Sequence, residues 1–360
     1  MEKNFISSIL VVIIISCMFI IIKIFIFNNS VMPKEPLNIT KEKIKSGNLS
    51  VDYEIDKVLE DVEILKLNTV NVPVIINIKT LTDSDMSIDK NSMEKAKKII
   101  KKLKKKNINV ILEAYPWIND GKDYETEWNP NNIDLFFYNW EHKVLLPLIE
   151  EIANPYKVFA LNTASNFSQM EKYEEKWCYL IQNIKSKYKG LTTYRTSWWY
   201  TASWDKVSEE KYRDKLENRV FNNVDFISIA AYFELSNKNI NSKDELVKYI
   251  EETKAHNRNQ NIKKEIYNFY KMWEKPIFFG ELGFPKLEGA SKEPWNVQVS
   301  KKLNTQEQVV GFLAYKEVFE DEPWQLGFSI FAIGKDDNTK VYYPSRETKK
   351  VIKDWYKKRN

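Results

Sequence analysis

Cysteine and histidine are scarce in this 360-residue chain, at two each, and glycine is held to 9 residues. Cys17 sits inside an apolar run and Cys178 is alone in the polar remainder, so no disulfide framework is expected there. His142 and His256 lie in unrelated helical stretches with no HExxH and no CxxC, which argues against a zinc site or a histidine-dependent triad. The phosphate cradles GxxxxGK[ST] and GxGxxG are missing too, so neither a metal nor an organic cofactor is implied. Few glycines and 12 prolines exclude collagen-like and low-complexity classes. What remains for chemistry is carboxylate.

Aromatics are abundant instead, with 11 Trp, 19 Tyr and 19 Phe making 14% of the chain. So many large apolar side chains exclude disorder. Charge is nearly balanced, at 55 Lys+Arg against 50 Asp+Glu. Much of the excess lies in lysine runs such as Lys101-Lys102 and Lys104-Lys105-Lys106, which read as the wet face of a helix whose dry face is Met93, Ala96, Ile100 and Leu103. No recognition motif accompanies them, so nucleic acid is not an expected partner.

The first 30 residues differ from the rest. Phe5–Phe27 (FISSILVVIIISCMFIIIKIFIF) is broken by one charge, Lys23, and would span roughly 30 Å as a helix. No small-residue cleavage site follows it, so it reads as an uncleaved anchor over residues 1–30, with residues 31–36 as a tether. A lipobox reading of Ile14–Cys17 would place a lipid on Cys17, but the mature start would then be apolar where a polar tether is normal. Lysines at 34, 41, 43 and 45 follow the span, so charge bias alone does not place the rest of the chain outside the cell.

From residue 37 onward, short apolar runs alternate with amphipathic helical ones. The strands are expected at Leu37–Thr40, Asn68–Ile78, Val110–Tyr115, Val158–Leu161, Leu191–Ser197, Phe226–Tyr232, Ile277–Gly280 and Leu326–Ala332. Eight such units call for a parallel sheet covered by helices, and match a single (β/α)8 TIM barrel over residues 37–360, with an open doubly wound sheet as the alternative.

In such a barrel the chemistry sits at the C-terminal ends of the strands. The seventh expected strand ends in Gly280-Glu281-Leu282-Gly283, a carboxylate between glycines that a ligand can approach closely. The third carries Glu113, an acid inside an apolar run, suited to proton transfer if it faces the mouth and to an ion pair if it does not. The loop after it holds Asp120, Asp123, Glu125, Glu127 and Trp128. The fifth strand carries Arg195; Trp198, Trp199 and Trp204 follow it, and Trp295 follows the seventh. Two carboxylates on separate strands plus loop tryptophans, on which sugar rings stack, make a glycosidase-like constellation.

Several motifs in order resemble glycoside hydrolase family 113, a group of retaining β-mannanase-like barrels of clan A. They are NTVNVPV (Asn68–Val74), VDFISIAAYF (Val224–Phe233), GELGFP (Gly280–Pro285), EPWN (Glu293–Asn296), NTQEQ (Asn304–Gln308) and YYPSRETKKVIKDWY (Tyr342–Tyr356). The resemblance implies that Glu281 is the nucleophile. It also exposes a departure: the family's acid/base glutamate follows the fourth strand, and here Ala164 takes that place. Ala230 likewise stands where the sixth strand often carries an aspartate.

The reading is therefore a membrane-anchored, extracytoplasmic glycosidase acting on a β-linked polysaccharide or cell-envelope glycan, outside because such substrates are there. Glu281 attacks, Glu113 substitutes as proton donor (with Glu171 as another carboxyl in reach), and Asn162, Asn166, Arg195 and Tyr232 orient hydroxyls. Trp117, Trp128, Trp198, Trp199 and Trp295 hold rings. The alternative is a tethered barrel that binds glycans without cleaving them, which needs no replacement acid.

Overall fold

The computed structural model describes residues 42–337 and 339–357. The apolar segment Phe5–Phe27, the tether and the strand expected at Leu37–Thr40 lie outside them. Among the described residues no helix is long and apolar enough to cross a membrane.

The strands are β1 (Ile44–Leu49), β2 (Thr69–Ile78), β3 (Asn109–Ile118), β4 (Ala160–Ser165), β5 (Leu191–Ser197), β6 (Phe226–Ala230), β7 (Ile277–Leu282) and β8 (Gln325–Ile333). Each pairs in parallel with the next, from Val70↔Val110 across β2 and β3 to Ile277↔Gln325 across β7 and β8. β1 then pairs in parallel with both β8 and β2, through Ile44↔Gly327 and Asn48↔Asn71, and the sheet closes. Closure excludes the open sheet. A two-residue strand, Ser87–Ile88, adds an antiparallel edge to β2.

The first strand is Ile44–Leu49 (IKSGNL), a segment that hydropathy does not mark. Its polar residues are buried because several work inside the barrel: Ser46 Oγ donates to Asn71 Oδ1 at 2.7 Å, and Asn48 Nδ2 to the Gly280 carbonyl at 2.9 Å. Buried polar groups persist only when bonded in this way.

The helices follow the apolar periodicity. Lys90–Lys105 buries Ala96, Ile99, Ile100 and Leu103, is capped by Asp89, and leaves its lysines toward water. Ile133–Asn139 continues through two π-wound stretches, Trp140–Leu145 and Ile149–Ala153. The helix Ile55–Leu65 buries Asp61, whose carboxylate accepts from Tyr343 Oη at 2.6 Å and from the Gly334 amide at 3.0 Å. That contact ties the first helix to the chain just beyond β8. The NTQEQ segment is structural as well. Asn304 caps Thr305–Phe319, and buried Gln308 donates to the Phe284 carbonyl while accepting from Ser345 N and Thr348 Oγ1.

Candidate active site

Glu281 lies at the end of β7, nearly enclosed, with 13% of its side chain exposed. Burial raises its pKa above the ordinary glutamate value; Arg195 opposes that rise, Glu125 and Glu113 add to it, and a hydrogen bond with Tyr232 opposes it. Arg195 Nε is 3.2 Å from Glu281 Oε1.

Arg195 comes from β5 and is buried at the centre of the mouth. Its Nη1 donates to Glu113 Oε1 at 3.0 Å and to the Gly280 carbonyl at 2.9 Å; its Nη2 donates to Glu113 Oε2 at 2.7 Å and to Ser165 Oγ at 2.8 Å. Desolvation works against the buried guanidinium, but Glu113 and Glu281 outweigh it and raise its pKa. Gly280 makes the approach possible, since a Cβ there would sit 2.0 Å from Ser228 Oγ and 2.9 Å from Arg195 Cδ. The glycine before the glutamate therefore serves the arginine's passage.

Glu113 is 6% exposed and takes three N–H bonds, two from the fork of Arg195 and one at 2.6 Å from Asn71 Nδ2. In this bidentate geometry both oxygens are acceptors, and a proton on either would displace one of those donors. The arrangement thus fits the ion-pair reading of Glu113 better than the donor role expected of it. Glu171 is likewise committed, to Lys215 at 2.5 Å and Thr196 Oγ1 at 2.7 Å.

The carboxylate brought toward Glu281 is one the sequence did not single out. Asn166 follows β4 with a left-handed backbone, φ 58°. Its Nδ2 donates to Glu125 Oε1 at 3.1 Å and to Glu281 Oε1 at 3.4 Å, while Ser197 Oγ donates to its Oδ1 at 3.5 Å. The Glu125 and Glu281 oxygens can be no farther apart than those two bonds laid end to end, 3.1 Å plus 3.4 Å. Ala164, expected from the resemblance to stand where the acid/base glutamate would be, is buried. Asn162 Nδ2 donates to Ser165 Oγ at 2.6 Å and its buried Oδ1 has no protein partner.

The tryptophans divide. Trp198 is half-buried and lies parallel to the exposed Trp295, with ring centroids 6.5 Å apart at 18°. Trp198 also meets Tyr232 edge-on, and Tyr232, Phe331 and Tyr342 continue this wall past Glu281. Phe331 and Tyr342 were missed in the sequence because a lone aromatic at a strand end or in a loop carries no periodic signal. Trp117 is half-buried beside Tyr115 and Gly121. Trp128 and Trp199 depart from the expected platform. Trp128 is fully buried against Phe136, Trp140 and Phe167 and donates to the Asp83 carbonyl. Trp199 packs on Tyr212, Phe233 and Phe269 with its Nε1 on Glu265. Trp128 offers no free face to a sugar, and Trp199, though mostly buried, lines the cavity that opens beside it. A cavity of about 710 Å³ opens beside this site, lined by Thr126, Ser168, Ser197 and Trp198 and reaching outward to Lys172 and Lys211.

A parallel eight-stranded barrel with a buried glutamate at the end of β7 invites comparison with glycosidases. The family model for glycoside hydrolase family 113 matches residues 48–350. The chain belongs to that family. Its fold also superposes on a solved family 113 β-1,4-mannanase with a TM-score of 0.67, at 20% identity over 88% of this chain and 100% of that one. The family 113 β-mannanase of Alicyclobacillus acidocaldarius matches at 0.66 and 14% identity over 88% of this chain and 98% of that one. The β-D-glucuronidase of Dictyoglomus thermophilum matches at 0.53 and 13% identity, over 88% of this chain and 51% of that one. No curated protein sequence matches significantly.

Proposed function

We propose that this family 113 chain is a retaining glycosidase that cleaves a β-linked oligosaccharide or polysaccharide with Glu281 as nucleophile. The observation that carries it is the setting of Glu281: enclosed at a strand end, 3.2 Å from the Arg195 guanidinium and hydrogen-bonded to Tyr232, beside the Trp198–Trp295 pair. Arg195 and Tyr232 favour the ionised form that attack requires and hold the reacting oxygen in place. Glu281 attacks the anomeric carbon, a glycosyl-enzyme forms with inversion, and water releases the sugar with a second inversion. Trp198 and Trp295 hold sugar rings, and Asn162 and Asn166 orient hydroxyls.

Covalent trapping tests this reading. A 2-deoxy-2-fluoro glycosyl fluoride of the accepted sugar needs little help from a general acid, so it reports on the nucleophile alone. The expected outcome is one adduct per chain, mapped by mass spectrometry to the peptide containing Glu281. The buried Ala164 favours a second reading, a barrel that binds glycans without cleaving them. Oligosaccharide binding with no adduct and no turnover across β-mannosides, β-glucosides and β-glucuronides would establish it. We further propose that Phe5–Phe27 anchors the chain with the barrel outside the cell. Protease added to intact cells should then digest the barrel, and protection until lysis overturns that placement.

A further inference from the structure

We propose that Glu125, in the loop after β3, is the proton donor of this site and replaces the carboxyl absent at Ala164. The inference rests on Glu281 being the nucleophile. Three observations carry it. First, one amide nitrogen, Asn166 Nδ2, bonds both Glu125 and Glu281, which brackets their oxygens within the sum of 3.1 Å and 3.4 Å. Retaining glycosidases place their two carboxyl groups about 5–5.5 Å apart, inside that bracket. Second, Glu113 is bound on both oxygens by Arg195 and Glu171 is paired with Lys215, whereas Glu125 forms no ion pair among the described residues. A carboxyl tied to no cation keeps an oxygen for a glycosidic bond. Third, its loop is pinned. Trp128, three residues on, is fully buried with its Nε1 on the Asp83 carbonyl, and the Trp128 amide donates to the Glu125 carbonyl at 3.3 Å. Tyr115 beneath feels Glu125 and then Glu281, after burial, as the charges that raise its pKa, which places its hydroxyl near both carboxylates.

The step balances. Glu125 gives its proton to the glycosidic oxygen as Glu281 bonds to the anomeric carbon; the carbon–oxygen bond breaks and the alcohol leaves. Glu125, now a carboxylate, takes a proton from water as that water's oxygen bonds to the same carbon and releases Glu281. No co-reactant beyond water is needed.

The test uses the full chain, its Glu125→Gln and Glu113→Gln variants, and aryl β-mannosides, β-glucosides and β-glucuronides with good and poor leaving groups. Glu125→Gln should lose about 10²–10⁴-fold in kcat/KM on poor leaving groups and little on dinitrophenyl ones. Azide should restore its turnover of the activated substrates and yield the β-glycosyl azide. The basic limb of the kcat/KM profile, which a proton donor sets, should be lost in this variant. Unaltered melting would exclude misfolding. Cleavage of poor leaving groups at the wild-type rate overturns the inference, as does azide rescue in Glu113→Gln instead. Fluorosugar labelling of Glu281 in a wild type that turns over nothing also overturns it and leaves the nucleophile standing. No label and no turnover overturns both.

Discussion

Replacing Arg195 by methionine should expose how much of the barrel mouth depends on one cation. The side chain is 3% exposed and makes two bonds to Glu113, one to Ser165 and one to the Gly280 carbonyl, with Nε 3.2 Å from Glu281. Methionine keeps the apolar stem and removes every donor. The Gly280 carbonyl retains Asn48 Nδ2, so its loss is partial. Glu113 and Glu281, both enclosed, lose their countercharge. Breaking a buried pair by removing one partner costs about 3–5 kcal/mol, most of it from the stranded charge. Urea unfolding followed by tryptophan fluorescence should therefore show Arg195→Met less stable by about 4 kcal/mol at neutral pH. If stranded charge is the cause, Glu113→Gln in the same chain should recover part of the loss, with a coupling of about 1–3 kcal/mol in the double-mutant cycle. The acidic limb of kcat/KM should also move to higher pH, since Arg195 is the strongest influence holding the Glu281 pKa down. A cost below about 1 kcal/mol, or one unchanged in the Glu113→Gln background, would refute the reasoning.

Glu281 should be a stability cost carried for chemistry. Its folded pKa is raised by burial, so the native state disfavours its charge above the unfolded value of about 4.3, and stability falls as pH rises through that value. Glu281→Gln should accordingly melt a few degrees higher at pH 7, with the gain vanishing near pH 3, while turnover falls by several orders of magnitude. A constant melting difference across pH would contradict this. The two classes of tryptophan should separate: Trp198→Ala should weaken oligosaccharide binding by about 1–2 kcal/mol in titration calorimetry with little effect on melting. Trp128→Ala should instead cost about 3–5 kcal/mol of stability. Gly280→Ala should cost about 1–3 kcal/mol through the 2.0 Å approach to Ser228 Oγ. Adding Ser228→Ala should return stability but not turnover, because Arg195 Cδ, 2.9 Å from the new methyl, remains displaced.

Much of the barrel is legible because its strands are apolar and its helices amphipathic. Leu191–Ser197 falls where the pattern puts it. β1 escapes because hydropathy reads IKSGNL as a loop, while closure of the sheet buries Ser46 and Asn48 against β2 and β7. Register decides the rest. Glu113 and Arg195 stand 82 positions apart, and their pairing depends on Glu113↔Asn162 and Ser165↔Arg195 alignments that local sequence does not encode. The loop Asp120–Trp128 shows the same limit, since four acids lie within it without periodicity. Which acid faces the cleft depends on Trp128 entering the core and on the left-handed turn at Asn166. Trp128 and Trp199 look like Trp198 in composition; burial alone separates them.

The end of β4 brings these points together. At Ala164 this strand end carries no acid, and the residues around it are donors. Asn162 Nδ2 orders Ser165, Ser165 accepts from Arg195, and Asn166 spans Glu125 and Glu281. This strand end holds the carboxylates of neighbouring elements in place. Such a site has an electrostatic preference. Charge on Glu125 raises the Glu281 pKa, while Arg195 and Tyr232 favour the charge on Glu281. Retaining cleavage requires Glu281 to be ionised for attack, and Arg195 and Tyr232 are the groups that oppose the burial which raises its pKa.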